Sequence, residues 1–156
     1  MATIAIVGFG DMGEQMAPHL LAAGHQVRVS DIADSRLETA RRMGATAVAS
    51  AAEAARGADV IFGLVMSNDI PTAYLGDDGI LAGARSGASV LICSTTIRAI
   101  VDQVRAAAPS GVAVLDSLTG TGPSSAITSA ASVKQGSPQV TCSPESCFTS
   151  AAGSPT

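Results

Sequence analysis

The 156 residues contain no tryptophan, one tyrosine and three phenylalanines. Single-stranded nucleic acids are held on exposed aromatic platforms, which a chain so poor in aromatics does not offer. Positive charge is scarce too: nine Lys and Arg against thirteen Asp and Glu give a net charge of −4 and a pI near 4.9. With no basic run, the electrostatic footprint of a DNA or RNA binder is also missing. No Lys or Arg precedes Arg28, and no apolar run approaches the roughly 18 residues of a membrane helix, so neither a secretory leader nor a membrane partner is expected. The expected location is cytoplasmic. Cysteine is confined to Cys93, Cys142 and Cys147, an odd number without metal-like spacing to His19 or His25. Reduced thiols and no metal site are the simplest reading.

What the chain does have is small and apolar: 47% hydrophobic residues and sixteen glycines, enough for one core and too little for two ordinary domains. Thr3 to Val7 reads as a buried strand, followed by Gly-rich turn residues and a helix over Glu14 to Ala23 that Gly24 closes. Pro18 inside that helix predicts a kink or a late start. Gln26 to Ser30 alternates as a second strand; Asp34 or Ser35 then caps a helix to Met43, with Glu38 in capping-box register to Ser35. A short strand over 46–49 and an Ala-rich helix over 51–56 precede the apolar run Val60 to Met66, whose lack of alternation points to a strand covered on both faces. Short helical turns are expected between Ser67 and Gly87, a strand over 88–93, an amphipathic helix capped by Ser94, Thr95 or Thr96, and a strand over 112–115 ending at Asp116. This alternation defines an α/β protein built on a doubly wound, Rossmann-type parallel sheet. Residues 1–136 are expected to form that single domain. Residues 137–156, rich in Ser, Thr and Pro and lacking apolar periodicity, are expected to be a loose, disordered tail.

The first turn carries the chemistry. In Gly8-Phe9-Gly10-Asp11-Met12-Gly13, Gly8 permits a tight turn, Gly10 lets a pyrophosphate approach the backbone, and Gly13 lets helix and strand pack closely. The helix that follows offers free amides and the positive end of its dipole to phosphates. Asp11 suits the dipole but would repel a pyrophosphate, so it is expected to face solvent. Asp31, at the end of the second strand, is placed to accept hydrogen bonds from a ribose diol and to repel a 2′-phosphate, favouring NAD; Arg36 nearby is an alternative phosphate partner and keeps NADP open. Ligands of such sheets lie beyond the carboxyl ends of strands, which selects Leu64 to Asn68, with Leu64, Val65 and Met66 foremost, then Ser94 to Thr96 and Asp116 to Gly122. Thr95 reads equally as a cofactor contact or a helix cap. Gly120, Thr121 and Gly122 supply a flexible backbone and a hydroxyl suited to a substrate carboxylate, or simply a connecting turn. Neither a Ser/His/Asp arrangement nor a metal cluster can be argued from these spacings.

The stretch from Gly8 to Ala17 resembles the signature opening of the β-hydroxyacid dehydrogenases, the group of 3-hydroxyisobutyrate and tartronate semialdehyde reductases related to 6-phosphogluconate dehydrogenase. Ala58-Asp59-Val60-Ile61, Leu75 to Ile80, Ser94-Thr95-Thr96 and Leu115-Asp116 continue the likeness in order, over about residues 3–136. The resemblance implies hydride exchange between a nicotinamide cofactor and a small hydroxyacid or semialdehyde, with Thr95 at a cofactor-contacting position. Imine reductases share the opening. Where the family has D-x-P-V-S-G-G for a substrate carboxylate, this chain has Asp116-Ser117-Leu118-Thr119-Gly120-Thr121-Gly122, without the proline and with the hydroxyl moved by one position. The family's proton-donating lysine lies on a helix leading to a second, helical domain. The expectation is that this chain stops short of it, since its one lysine, Lys134, matches no catalytic motif. No catalytic residue is therefore assigned. The reading is an oxidoreductase represented by its cofactor domain, binding a dinucleotide and taking a small carboxylate substrate only with a second domain supplied; the alternative is a non-catalytic dinucleotide-binding module.

Overall fold

The computed structural model describes residues 1–116. The 1–136 boundary, the tail and the Gly120-Thr121-Gly122 segment therefore lie outside the described residues. Within them the chain runs β1 (Thr3–Val7), α1 (Asp11–Ala22), β2 (Gln26–Ser30), α2 (Asp34–Arg42), β3 (Thr46–Ala47), α3 (Ala51–Ala55), β4 (Val60–Gly63), α4 (Ile70–Leu75), α5 (Ile80–Gly83), β5 (Ser89–Ile92), α6 (Arg98–Ala107) and β6 (Ala113–Asp116). The six strands are parallel in the order β3-β2-β1-β4-β5-β6. The chain starts in the middle, winds outward to β3, crosses back to β4 and winds out the other way. That order is the doubly wound sheet predicted from the sequence, and it opens a crevice where the winding reverses, beyond the carboxyl ends of β1 and β4.

Alternation along each strand divides the core in two. Ile4, Ile6, Val27, Val29, Phe62 and Leu91 pack with Met16, Ala17 and Leu20 of α1 and Leu37 of α2. Ala5, Val7, Ile61, Val90 and Ile92 point the other way, onto α3 to α6 through Ala54, Tyr74, Ile80, Val101 and Val104. The inner strands are buried on both faces, which is why they read as continuous apolar runs.

Several helix boundaries differ from the sequence reading, each for a local reason. α1 begins at Asp11 and passes through Pro18 without a late start. Pro18 is exposed, so the Glu14 carbonyl that loses its helical donor lies on the watery side. α2 is capped by neither Asp34 nor Ser35: its N-cap is Ala33, whose amide donates to Asp31 Oδ1 at 2.8 Å, and Glu38 pairs with Arg41 instead of closing a capping box. None of Ser94, Thr95 and Thr96 caps α6, whose N-cap is Ile97. Ile97 is 66% exposed because it stands outside the helix it precedes.

The centre of the sheet is pinned by one close contact. Gly63 lies against Tyr74 so tightly that a Cβ there would overlap the phenol oxygen. The buried Tyr74 hydroxyl shares its hydrogen between the Gly63 carbonyl at 3.3 Å and the Leu91 carbonyl at 3.1 Å, spanning β4 and β5 from beneath. Burial holds that phenol far above its ordinary range, so it acts as a neutral donor.

Candidate functional site

The three glycines of the first turn occupy three different environments. Gly8 has φ +90°, donates its amide to Ser30 O at 2.9 Å, and a Cβ on it would stand 2.6 Å from the Leu64 carbonyl. Only glycine fits both that angle and that space. A Cβ on Gly13 would meet Gly8 O at 3.1 Å and Phe9 Cδ2 at 3.2 Å, so α1 presses directly on the turn. At Gly10, in contrast, a Cβ would meet nothing within 4 Å. Gly10 is the N-cap of α1 and brings no side chain to it, and the first amide of the helix with a backbone acceptor is that of Glu14. The amides of Gly10, Asp11, Met12 and Gly13 have no acceptor among the described residues, and a side chain at the N-cap Gly10 would project into open space.

Asp31 closes this turn from the side. Its Oδ2 accepts the Phe9 amide at 2.5 Å and its Oδ1 the Ala33 amide at 2.8 Å, tying the end of β2 to the turn after β1. An ionised carboxylate accepts about four hydrogen bonds, so two of its lone-pair positions remain for a ligand. The phenyl ring of Phe9 is fully buried in the core and its amide is taken by Asp31, so its part in the site is to fix the turn. Asp11 stands in solvent, its side chain 88% exposed and paired with Arg36 at 3.2 Å.

On the other side of Met12 lies a cleft of about 310 Å³ lined by Met12, Leu64, Val65, Met66, Ser67, Cys93, Ser94 and Thr95. Five of the residues singled out in the sequence thus meet at one place: Met12, Leu64, Val65, Met66 and Thr95. Two of the loops are cross-linked, Ser94 Oγ donating to the Val65 carbonyl and Ser67 Oγ to that of Thr95. Thr96 Oγ1 is buried with no partner among the described residues. Ser67 and Ser94 belong to the loops that the strand ends select in the sequence, whereas Cys93 is an addition that gives no local signal beyond its place at the end of a buried strand. Burial, with the negative charge of Asp116 second, pushes the Cys93 thiol up to about 12, so it lines the cleft as an apolar, protonated group. Gly120, Thr121 and Gly122 cannot be placed against this cleft. Among the described residues no group of His, Cys, Asp and Glu is arranged to hold a metal, and no helix is long and apolar enough to cross a membrane.

A parallel sheet wound in this order, with an uncapped helix start over an unobstructed glycine and an acidic side chain closing the second strand, defines a dinucleotide-binding protein. The family is specific: residues 3–152 match the model for the NAD binding domain of 6-phosphogluconate dehydrogenase, and the chain belongs to that family. Over 118 residues it is 40% identical to the NAD-dependent L-serine dehydrogenase and 36% identical to the 3-hydroxyisobutyrate dehydrogenase of Pseudomonas aeruginosa, each alignment covering 74% of this chain and 40% of the relative. A solved structure of Mycobacterium tuberculosis 3-hydroxyisobutyrate dehydrogenase with L-serine superposes with a TM-score of 0.70 at 32% identity, covering 84% of this chain and 44% of that one. The chain is thus an NAD-binding domain of the hydroxyacid dehydrogenase type, spanning less than half the length of these relatives.

Proposed function

We propose that this chain is the cofactor-holding part of an oxidoreductase that exchanges hydride between NAD and a small hydroxyacid or its semialdehyde. The observation that carries the reading is the start of α1: a Cβ at its N-cap Gly10 would stand in open space, and the four amides from Gly10 to Gly13, at the positive end of the helix, have no acceptor among the described residues. Those amides would hold the pyrophosphate, Asp31 the adenosine ribose with its two unused lone-pair positions, and Met12, Leu64, Val65, Met66 and Thr95 the nicotinamide half. Once bound, the nicotinamide supplies or accepts the hydride. The preference of NAD over NADP follows from the negative charge of Asp31, and relatives named for L-serine and 3-hydroxyisobutyrate point to a small carboxylate substrate.

Reduction of a carbonyl also needs a proton donor at the developing alkoxide. Among the described residues the lining of the cleft holds the hydroxyls of Ser67, Ser94 and Thr95 and a thiol held protonated, and no His, Lys, Asp or Glu. This chain by itself is therefore expected to bind the cofactor without turning over hydroxyacids at an appreciable rate. Calorimetric titration with NADH tests the binding: Gly10→Val, whose Cβ has no nonadjacent protein atom within 4 Å, should weaken affinity about 100-fold or more by putting bulk at the helix start while leaving the melting temperature within a few degrees. An affinity equal to that of the unmodified chain would refute the site.

A further inference from the structure

The rim of the dinucleotide turn carries an arginine that is already occupied. Asp11, Met12, Gly13 and Glu14 open α1, and Asp34, Ser35 and Arg36 open α2, side by side beyond the ends of the neighbouring strands β1 and β2. Arg36 is the one basic residue in these two first turns, against Asp11, Glu14 and Asp34, with Asp31 immediately before them. Its guanidinium bridges both helices: one terminal nitrogen lies 3.2 Å from Asp11 Oδ1 and the other 3.1 Å from Glu14 Oε2. It is half-buried between them, while Asp11 is almost wholly in solvent. A guanidinium beside the end of β2 is the side chain that would otherwise welcome a phosphate on the adenosine ribose, through paired, charge-assisted hydrogen bonds.

We propose that Asp11 and Glu14 act as a clasp on Arg36 that sets cofactor specificity, so that this chain rejects a 2′-phosphorylated dinucleotide through Asp11, Glu14 and Arg36 together as well as through Asp31. Asp31 presents negative charge where a 2′-phosphate would sit. The clasp removes the compensating cation: a phosphate approaching Arg36 must displace two carboxylates and then lie beside them. An unphosphorylated ribose asks for no cation, so its binding is indifferent to the clasp. The carboxylate at Asp11, out of keeping with a pyrophosphate site when considered alone, thus has a role one phosphate further along the ligand. The inference rests on the dinucleotide reading above and narrows it to one cofactor.

The test is a titration of the full chain with NADH and with NADPH, followed by cofactor fluorescence and calorimetry, with circular dichroism and melting of each variant as a check on folding. Asp11→Ala, and Asp11→Asn as its near-isosteric counterpart, should raise the ratio of NADPH to NADH affinity about three- to tenfold, the scale of one exposed, salt-screened ion contact. Glu14→Gln should raise it in the same direction. In Asp11→Ala/Arg36→Ala the gain should vanish, because the freed cation is what the phosphate uses. A ratio unchanged in all the single variants, with NADH still bound by the unmodified chain, overturns the clasp and leaves the dinucleotide site standing. A gain that persists without Arg36 also overturns it, since the loss of the Asp11 charge would then suffice. Failure of the unmodified chain to bind either dinucleotide overturns the site and the clasp together.

Discussion

The turn after β1 and the turn after β5 both follow buried strands, both end in a helix and both face the same crevice, yet they are built in opposite ways. After β1 the free hydrogen-bonding capacity is backbone: four amides without acceptors among the described residues, in a turn held by Gly8, at a position only glycine fits, and by the Asp31 carboxylate just past β2. After β5 it is side chain, and partly spent: Ser94 is tied to Val65 and Ser67 to the Thr95 carbonyl, while the buried Thr96 hydroxyl has no partner among the described residues. On the proposed reading the first turn is a rigid receptor for negative charge. The second is a brace that fixes one wall of the cleft and has little left to offer a ligand except the exposed Thr95 side chain.

Substitutions that separate rigidity from reception break this comparison most sharply. Gly8→Val should be the most damaging, about 3 kcal/mol or more in denaturant unfolding, because it combines φ +90° with a Cβ 2.6 Å from Leu64 O. If Gly8→Val unfolds no more easily than Gly10→Val, the claim that the two glycines do different work fails. Asp31→Ala should lose about 1–3 kcal/mol as well as cofactor selectivity, since it strips the acceptors from two amides. A stable variant with altered selectivity alone would remove its role as the tie between strands. At the other turn Ser94→Ala should cost only about 1 kcal/mol, read from the same unfolding curves. Thr96→Val, which replaces a buried hydroxyl without a partner by a methyl group of similar shape, should be neutral or stabilising by about 0.5 kcal/mol.

Alkaline pH addresses the shared wall. The Cys93 thiol is raised in the folded chain to about 12, so it stays neutral there while the unfolded chain ionises its own at lower pH. The stability it contributes is complete below the unfolded value and is lost as pH rises through the folded one. Unfolding curves measured as pH rises towards 12 should therefore show a decline that Cys93→Ala makes shallower. An identical slope in the variant would place the thiol in water.

The sheet was legible because its signal is local and repeated. β1, β4 and β5 are almost wholly apolar, the glycine spacing marks the turn, and Asp31 falls at the end of β2 where the spacing put it. The helix starts were misread because a capping residue is chosen in competition with partners that sequence distance hides. Ser94 has a good capping side chain, but Val65, twenty-nine positions back, offers its carbonyl first. Asp31, three residues ahead of Asp34, accepts the amide of Ala33, the residue that takes the N-cap place in front of both candidates. The apolar run from Val60 was expected to stay in the sheet to Met66, yet the strand ends at Gly63 and Leu64, Val65 and Met66 turn into the cleft wall. Composition cannot tell a buried strand from the apolar lining of a pocket that continues it. The bridge from Arg36 to Asp11 and Glu14 was invisible for the same reason, since it joins two helices through residues more than twenty positions apart.

The contact between Gly8 and Leu64 also imposes an order on synthesis. The glycine turn leaves the ribosome early, but the carbonyl it packs against and the amide that bonds to Val7 both belong to Leu64, just past the end of a strand made much later. Until β4 emerges and slides in beside β1, the nascent chain holds one winding of the sheet and no finished receptor for phosphate. Closing that long loop is a slow, non-local step. A nascent chain stalled before Leu64 would therefore gain nothing from dinucleotide in its surroundings, whereas one stalled after β5 could be stabilised by it.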